Sequence, residues 1–399
     1  MMTSTMNQSF QRVPDSTPIE EEQLPGYVAE DCYPIAIGEV LDSRYREVCK
    51  LGRGVGSTVW LAKDVCNSQY QVLKVCTHTS DGMAPQQADH EIAVSQHLKT
   101  APVQQHPGKL GVRTVLDSFP LCGPYGQHMC ILYSPLGMTF TELRNLLPGR
   151  KFEKRMLQHG IQFLLLAIDY LHKNSVVHTD IPPNNILIGV SDDSVFSQLE
   201  QDELASPVAR KVLPDRTVYL SRPMPRTNGN LVLCDLGSAR MGRDKYQGDI
   251  MPDVYRSPEV ILGMEWSSKV DIWSVGVMIW DLLEGRRLFN AKRDGILNDE
   301  QHVAEMVSLM GKPPREFVQR SDRASAFFDD SGNWIGSIPI PNQPLEDRID
   351  QLHGEDKQLL LGFVRRIPRW LPKERPTAEE LAYDDFLMQA YFASQSQPG

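Results

Sequence analysis

Three polar residues, Asp180, Asn185 and Asp235, have the types and spacing to hold a divalent cation and to move a proton. Asp180 and Asn185 stand five residues apart in the stretch HTDIPPNN, and Asp235 directly follows the apolar run LVLC. A carboxylate and a carboxamide can bind one hard cation through oxygen atoms, which leaves Asp180 to accept a proton. Each residue taken alone is also a common turn former, because Asp, Asn and Pro dominate turns for local reasons.

A lysine lies inside the apolar, strand-like run QVLKVC, where an unpaired ammonium group would be costly to remove from water. Lys74 therefore needs an anion, and Glu91, in the helical stretch that follows, is the natural partner. The alternatives are a lysine that reaches solvent from an edge strand and a solvated glutamate on a helix surface.

Three glycines, Gly52, Gly54 and Gly56, lie between the two strand-like runs of LGRGVGSTVWLAKD. Glycine lets the backbone approach phosphate groups closely, with amide N–H groups directed at the anion. A plain tight turn explains the same spacing equally well, since this motif has many false positives.

The elements that must position these residues change character near Leu136. From Tyr45 to about Leu136, short β-rich runs alternate with turn residues, and one helical stretch, PQQADHEIAVSQHLKT, interrupts them. Beyond it, long helical patterns dominate: KRMLQHGIQFLLLAIDYLHK, KVDIWSVGVMIWDLLEG and DEQHVAEMVSLMG. The sequence therefore predicts an α+β protein with a small β-rich lobe followed by a larger helical lobe.

Two segments lack this periodicity. Residues 1–26 are polar and contain the acidic run EEE, which predicts a flexible arm. Residues 190–229 are rich in Ser, Asp, Gln, Pro and Arg and predict a surface loop inserted in the second lobe. The predicted organisation is an arm at 1–26, an extension at 27–44 that packs on the first lobe, the first lobe at 45–136, the second lobe at 137–388 and a tail at 389–399.

Composition narrows the class of protein. The 399 residues include 41 basic and 51 acidic side chains, and the net charge of −10 argues against general nucleic-acid binding and favours basic partners. Seven cysteines without a C-x-x-C pair predict reduced thiols in an intracellular protein. Asp169 and Asp281 interrupt the two longest apolar runs, and the N-terminus lacks the pattern of a secretory signal, so we expect a soluble protein.

In chain order, these motifs resemble those of the eukaryotic protein kinases. The series comprises the glycine-rich stretch, Lys74, Glu91, HTDIPPNN, DLG at 235–237 and SPE at 257–259, and it spans 45–386. The HTD form of the catalytic loop, MPDVYRSPEVILG and DIWSVGVMIWDLLEG resemble the SR-protein kinases, a branch of the CMGC group, and especially its compact fungal-type members. The resemblance implies the bilobal protein kinase fold.

The resemblance also implies transfer of the ATP γ-phosphate to serine and threonine hydroxyls of proteins, with Mg²⁺. Lys74 would contact the α- and β-phosphates and pair with Glu91. Asp180 would accept the proton of the substrate hydroxyl, while Asp235 and Asn185 would hold Mg²⁺. The implied nucleotide-binding positions are Gly52, Gly54, Gly56, Ser57, Val59, Lys74, Glu91, Ser134 and Leu136.

Further positions take roles from the same resemblance. The hinge would be Ser134-Pro135-Leu136, whose backbone would bond adenine, with Tyr133 as the gatekeeper. The implied structural supports are an ion pair of Glu259 with Arg375, and Asp271 bracing the catalytic loop.

The sequence departs from the family pattern at three places. Ser57 replaces the third glycine, as is usual in the SR-kinase branch. Thr179 stands where many kinases have an arginine that reads a phosphorylated activation loop, and the segment 235–259 is short, so we expect activity without that phosphorylation. Pro182 stands where most serine/threonine kinases have a lysine that stabilises the transferring phosphoryl group, and the loss of one such donor typically costs roughly 10² to 10³ in rate.

We therefore expect a working but slow kinase. The alternative is a pseudokinase that binds nucleotide or a partner as a scaffold. A small-molecule kinase is disfavoured by the complete MPDVYRSPE segment, which resembles a peptide-binding platform.

Substrate choice is a separate question. Kinases of this branch hold Arg/Ser-rich substrates partly through acidic side chains around DEQHVAEMVSLMG, which makes an Arg/Ser-rich protein the hypothesis here. Several of the acidic positions are replaced, and others remain: the replacements are Arg286, Gln301 and Ser308, and the remaining acids are Asp299, Glu300 and Glu305. We expect a monomer in the cytoplasm or nucleus, without direct nucleic-acid or membrane binding.

Overall fold

The computed structural model describes residues 10–78 and 86–395. The chain forms two compact units. The first comprises the described residues up to His97 together with 113–138 and 188–229, and the second comprises 98–112, 139–187 and the described residues from Asn230 onward. The mixed helix and strand content is that of the predicted α+β class.

The strands are β1 (Val40–Leu41), β2 (Tyr45–Gly54), β3 (Ser57–Asp64), β4 (Tyr70–Cys76), β5 (Asp117–Cys122), β6 (Gln127–Tyr133), β7 (Val176–Val177), β8 (Ile186–Ile188), β9 (Arg210–Val212), β10 (Thr217–Tyr219), β11 (Leu231–Leu233), β12 (Arg240–Met241), β13 (Lys292–Arg293) and β14 (Ile296–Leu297). The α-helices are α1 (Gln86–Thr100), α2 (Phe140–Leu146), α3 (Lys154–Lys173), α4 (Ser194–Ala205), α5 (Pro258–Ile261), α6 (Lys269–Glu284), α7 (Asp299–Met310), α8 (Arg315–Val318), α9 (Gly354–Arg366), α10 (Ala378–Ala382) and α11 (Asp385–Gln395).

A six-stranded antiparallel sheet forms the centre of the first unit, in the order β1-β2-β3-β4-β6-β5. Strand β4 lies between β3 and β6, so the alternative of a lysine on an edge strand is wrong for Lys74. Alternation along β4 places Leu73 and Val75 in the apolar cluster on one face, and Val72 and Cys76 in the cluster on the other face. Lys74 therefore projects on the side of Val72.

The segment 190–229 is folded, whereas the sequence predicted a surface loop in the second lobe. It contains α4 and the β9–β10 hairpin, and it belongs to the first unit. Phe196 and Leu199 of α4 are buried in the apolar cluster with Val48 and Val72. Tyr219 of β10 joins the other cluster, with its ring 5.7 Å from that of Trp60. Three buried apolar residues of this polar segment, Phe196, Leu199 and Tyr219, thus pack it on the first unit.

Residues 10–26 of the predicted flexible arm are also bound to the first unit. The amide of Val13 donates to the carbonyl of Arg210 at 2.9 Å, and the amide of Arg210 donates to the carbonyl of Gln11 at 3.0 Å. The acidic run forms a short 3-10 helix, Glu20–Gln23. Residues 1–9 of the predicted arm lie outside the described residues.

The second unit is organised around helices α3 and α6. Helix α6 is buried on all sides, which fits its apolar composition. Its buried Asp281 accepts hydrogen bonds from Arg287 at 2.6 Å, the Tyr255 hydroxyl at 3.0 Å and the Leu288 amide at 3.1 Å, which together compensate for its burial. No helix among the described residues is long and apolar enough to span a membrane. At the C-terminus, α11 runs past the predicted start of the tail at residue 389.

Candidate active site

Lys74 and Glu91 form an ion pair in the first unit, as the desolvation argument predicts. The Lys74 Nζ atom lies 2.7 Å from Glu91 Oε2, and the side chains are 18% and 4% exposed. The other carboxylate oxygen of Glu91 accepts a hydrogen bond from the hydroxyl of Tyr133, the predicted gatekeeper. The Glu91 carboxylate is therefore held from strands β4 and β6 at once.

The glycine-rich stretch is the hairpin between β2 and β3. Gly54 pairs with Ser57, so Val55 and Gly56 form the turn. Gly52 pairs with Val59, and Val59 pairs with Lys74, so these three residues form one cross-strand row. A Cβ built on Gly52 would meet no described atom within 4 Å. The fold of the described chain therefore gives no steric reason for glycine at Gly52.

The predicted hinge follows β6. The carbonyl of Ser134 accepts a hydrogen bond of 2.8 Å from Arg113, whose guanidinium also lies 4.5 Å from the centre of the Tyr133 ring. After Leu136, the amide of Gly137 donates to the carbonyl of Ile188 at 2.7 Å. A Cβ on Gly137 would collide with the Thr227 hydroxyl, so residues of the insertion pack directly against the end of the hinge.

The catalytic loop of the second unit is held from below by Asp271 of α6, as the resemblance predicts. The Asp271 carboxylate accepts hydrogen bonds from the amides of His178 and Thr179 at 2.9 and 2.8 Å, and from His172 Nε2 at 2.8 Å. Thr179 has a φ of 68°, a left-handed backbone that a β-branched residue rarely adopts. Its hydroxyl donates to the carbonyl of Ser238 at 2.8 Å. These bonds together hold a strained backbone in place.

Asp180 and Asn185 are in direct contact. The Asn185 side-chain amide donates to the Asp180 carboxylate at 2.9 Å and to the Asp180 carbonyl at 3.1 Å. Burial raises the pKa of Asp180 above its ordinary value, and the neighbouring Asp235 carboxylate raises this pKa further, against the lowering effects of His178 and Asn185. A carboxyl with a raised pKa is a better proton acceptor once it is ionised.

Asp235 is fixed beside this pair by backbone bonds. The amide of Cys234 donates to the carbonyl of Asn185 at 2.8 Å, and His178 Nε2 lies 3.1 Å from the carbonyl of Cys234. His178 Nδ1 accepts from the amide of Asp180, so the proton of a neutral ring lies on Nε2. Asp235 itself has a φ of 68°, and its carboxylate accepts from the amide of Gly237 at 3.3 Å. The second unit therefore brings Asp180, Asn185 and Asp235 together.

A bidentate ion pair supports the segment that follows. Arg375 donates to Glu259 through both terminal nitrogens, at 2.6 and 2.7 Å, and both side chains are completely buried. This is the pair that the resemblance predicts. A pocket of about 570 Å³ lies beside Asp180. Most of its lining residues, among them Met251 and Asp253, belong to the activation segment, residues 235–259.

The remaining acidic residues of α7 are engaged within the protein. Asp299 pairs with Arg256 at 2.6 Å. Glu300 accepts from the amide of Ile338 at 2.9 Å, and Glu305 accepts from the amides of Asn290 and Ala291 at 2.8 and 3.1 Å. The replaced position Arg286 itself pairs with an acid, Asp350, at 3.0 Å.

Sequence reasoning missed the roles of Arg113 and Lys50. Arg113 donates to the backbone of the hinge, and Lys50 pairs with a glutamate 29 residues earlier in the chain. A single basic residue in the sequence does not indicate partners of either kind. Lys50 is completely buried in β2 and forms an ion pair with Glu21. One feature of the sequence could have indicated the buried ion pair of Lys50. As with Lys74, this lysine stands between apolar residues, here Cys49 and Leu51.

Comparisons with known proteins agree with the fold. The profile of the family described as protein kinase domain matches residues 45–387. A serine/threonine protein kinase of Aspergillus fumigatus is 38% identical over 387 residues, which is 95% of this chain and 93% of the relative. The serine/threonine-protein kinase SRPK of Physarum polycephalum is 28% identical and covers 90% of each chain. A crystal structure of a kinase domain, 22% identical, matches 90% of this chain and 99% of that chain with a TM-score of 0.69.

The chain belongs to the protein kinase family. It is a serine/threonine protein kinase with the bilobal kinase fold, and its relatives fall in the CMGC group, which includes the SR-protein kinases that the catalytic-loop sequence resembles. As a kinase it uses ATP with a divalent cation and acts on protein substrates.

Proposed function

We propose that Asp180 is the base that accepts the proton of the substrate hydroxyl and that Lys74, Asn185 and Asp235 hold the nucleotide and its cation. Two observations support this proposal: the Lys74–Glu91 ion pair is formed at 2.7 Å, and Asp180, Asn185 and Asp235 are tied together by hydrogen bonds and by backbone pairing. A chain that had lost catalysis would not be constrained to keep both groups.

Lys74 contacts the α- and β-phosphates in this proposal, and Glu91 keeps the ammonium group in place. The cross-strand row of Gly52, Val59 and Lys74 supports this role, because it places the glycine-bearing strand β2 and Lys74 in register across β3. Gly54, Gly56 and Ser57 complete the phosphate-facing hairpin, and the backbone of Ser134 and Leu136 bonds adenine.

Mg²⁺ is the proposed divalent cation, and the residues fit it. The Asn185 amide nitrogen is turned to Asp180, so its oxygen is directed elsewhere, and no hydrogen bond from the described residues reaches that oxygen. Asp235 supplies a carboxylate. Two protein ligands suit Mg²⁺, which usually keeps phosphate and water oxygens in its remaining positions. When bound, the cation neutralises charge on the phosphates.

Asp180 acts in the ionised state. The Asn185 amide orients its carboxylate, and the raised pKa of Asp180 strengthens it as a base. The proton of the substrate hydroxyl moves to a carboxylate oxygen of Asp180 as the hydroxyl oxygen attacks the γ-phosphorus. The bond between the γ-phosphorus and the oxygen that bridges to the β-phosphate breaks, and ADP is the leaving group. The pocket beside Asp180 is the proposed position of the substrate peptide.

Turnover is slow in this proposal because Pro182 supplies no cation. The test is the rate of ATP-dependent transfer to protein by the wild type, Asp180→Asn and Pro182→Lys. Pro182 has a φ of −84°, which lysine adopts without strain. We expect Asp180→Asn to abolish transfer and Pro182→Lys to raise the rate by roughly 10². An unchanged rate in Pro182→Lys would show that the absence of a lysine at position 182 is not the cause of slow turnover.

A pseudokinase scaffold is the second candidate, and Pro182 is the observation that favours it. The two candidates differ in transfer, not in binding. A thermal shift with ATP alone and with ATP and Mg²⁺, followed by a radiolabel transfer assay, separates them. Stabilisation without any labelled product, in an assay where a known kinase gives product, would support the scaffold.

The proposed substrates are Arg/Ser-rich proteins, in keeping with the SRPK relative. The carboxylates of Asp299, Glu300 and Glu305 are engaged internally, so we expect only a small preference for arginine, under about tenfold, since one exposed ion pair contributes roughly 1 kcal/mol or less. Rates on an Arg-Ser peptide and on a neutral Ser peptide test this. Equal rates would remove the Arg/Ser proposal and leave the kinase assignment intact. We further propose a monomer in the cytoplasm or nucleus.

A further inference from the structure

The segment 10–37, here called the N-terminal strap, is anchored on the insertion hairpin. Besides the backbone bonds between Val13 and Arg210, Arg216 donates to the carbonyls of Ala29 and Cys32. Lys211 of β9 donates to both carboxylate oxygens of Glu22, at 2.9 and 2.7 Å. The strap and the hairpin therefore form one layer of the first unit.

The acidic helix of the strap reaches from this layer to strand β2. Lys50 is 0% exposed, and its ammonium group pairs with Glu21 and donates to the carbonyl of Tyr219 at 3.2 Å. Glu20 accepts from the amide and hydroxyl of Ser221 at 2.8 and 3.0 Å, and it lies 3.5 Å from Arg53 Nε. A buried ammonium group is costly without its anion, so Lys50 has only one favourable position.

Lys50 belongs to the strand that carries the glycines, but it projects on the opposite face from Lys74. Lys50 pairs with Trp60 of one apolar cluster, whereas Val59, the partner of Lys74, packs on the other. The strap also connects to the turn of the hairpin. The amide of His78 donates to the carbonyl of Asp31 at 3.0 Å, and the preceding amide, that of Thr77, donates to the carbonyl of Gly56 at 3.0 Å. The strap thus restrains both the strand and the turn.

We propose that Glu21 and Lys50 are positioning residues for the nucleotide, which they affect through β2 without touching it. The buried ion pair holds the glycine-rich hairpin in the position in which its amides bond the phosphates. Loss of the pair lets the hairpin move and weakens ATP binding, while the groups that transfer the phosphate stay in place. This inference rests on the proposed nucleotide site.

The test compares Lys50→Met with a matched control, Lys211→Met. Both lysines are nearly or fully buried and pair with adjacent glutamates of the strap, but only Lys50 lies on the glycine-bearing strand. We expect Lys50→Met to raise KM for ATP roughly tenfold with kcat little changed, because small misplacement of binding groups has effects of this size. Lys211→Met should leave KM unchanged. Lys50→Arg, which keeps the cation, should recover most of the affinity.

Amide hydrogen exchange of the hairpin 52–58 in the absence of nucleotide gives a readout that does not depend on activity. Faster exchange in Lys50→Met and in Glu21→Gln, but not in Lys211→Met, is the expected result. Equal KM and exchange in Lys50→Met and Lys211→Met would overturn the inference, as would an effect on kcat alone. Failure of the wild type to bind ATP would instead overturn the proposed function, so the two failures are distinguishable. If Lys50→Met does not fold, Glu21→Gln decides by the same two measurements.

Discussion

Replacing Glu200 by glutamine should destabilise the first unit, because this one carboxylate joins helix α4 to the central sheet. It pairs with Arg46 at 2.5 Å and with Lys63 at 3.0 Å, and it accepts a hydrogen bond from the Tyr70 hydroxyl. Burial raises the pKa of Glu200, but these three partners outweigh it and lower this pKa from the ordinary 4.5 to about 2.

The magnitude follows from this pKa. A pKa lowered from 4.5 to about 2 corresponds to roughly 3 kcal/mol of preference for the ionised carboxylate. Arg46 and Lys63 are 35% and 29% exposed, so solvent screens part of the interaction, and about 2 kcal/mol remains. For a unit of this size, that free energy lowers the thermal midpoint by roughly 5 °C.

Chemical denaturation of Glu200→Gln and the wild type at several pH values measures the effect. The folded-state pKa is depressed, so the stabilisation is fully present above about pH 4.5 and is lost as the pH falls towards 2. The difference between the two proteins should therefore be constant near pH 7 and shrink below pH 4.5. Asp202→Asn is the matched control, since Asp202 lies on the same helix and, among the residues that the structure describes, its carboxylate accepts a hydrogen bond only from Gln198. The reasoning is refuted by a loss equal to that of the control or by a difference that does not depend on pH.

Three other predictions concern the two units and the cation. Tyr133→Phe removes one hydrogen bond to the Glu91 carboxylate, and we expect KM for ATP to rise about fivefold in steady-state assays, with an unchanged KM contradicting the role of the hydroxyl. Arg375→Met leaves Glu259 buried without its partner and should cost about 3 to 5 kcal/mol in denaturant unfolding, against less than about 1 kcal/mol for Arg366→Met, a more exposed arginine. Removal of divalent cations by chelation should abolish most of the stabilisation by ATP in thermal shift, and an equal shift with and without chelator would contradict the proposed cation site.

Local physical chemistry was sufficient to predict part of the site. Lys74 stands between apolar residues on a strand, so its need for an anion could be read from its neighbours, and the structure supplies Glu91 at 2.7 Å. The support of the catalytic loop by Asp271 required the resemblance to kinases, because 92 residues separate Asp271 from Thr179 and no local pattern links them.

The strap and the insertion could not be predicted in this way. Their contacts join residues far apart in the chain, such as Arg46 and Glu200, which are 154 residues apart. By composition alone, the acidic run of the strap is typical of a solvated segment, because the buried lysines that pair with it lie elsewhere in the chain. Lys50 likewise resembles any lysine in a strand of mixed polarity. Helix α4 has a small apolar surface, two residues of which, Phe196 and Leu199, meet the sheet. The information was in the pairing of distant segments, which a single sequence does not display.

The composition of the first unit from three separated stretches of chain has a consequence for its biosynthesis. Its last stretch ends at Gly229, after residues 139–187 of the other unit have already been made. The β-sheet therefore emerges from the ribosome before the segments that cover its two faces. The surfaces that later contact Phe196 and Tyr219 stay exposed until about a hundred more residues have been synthesised. At typical synthesis rates of roughly 5 to 20 residues per second, this interval lasts several seconds or more, a period in which nascent chains of this kind are most dependent on chaperones.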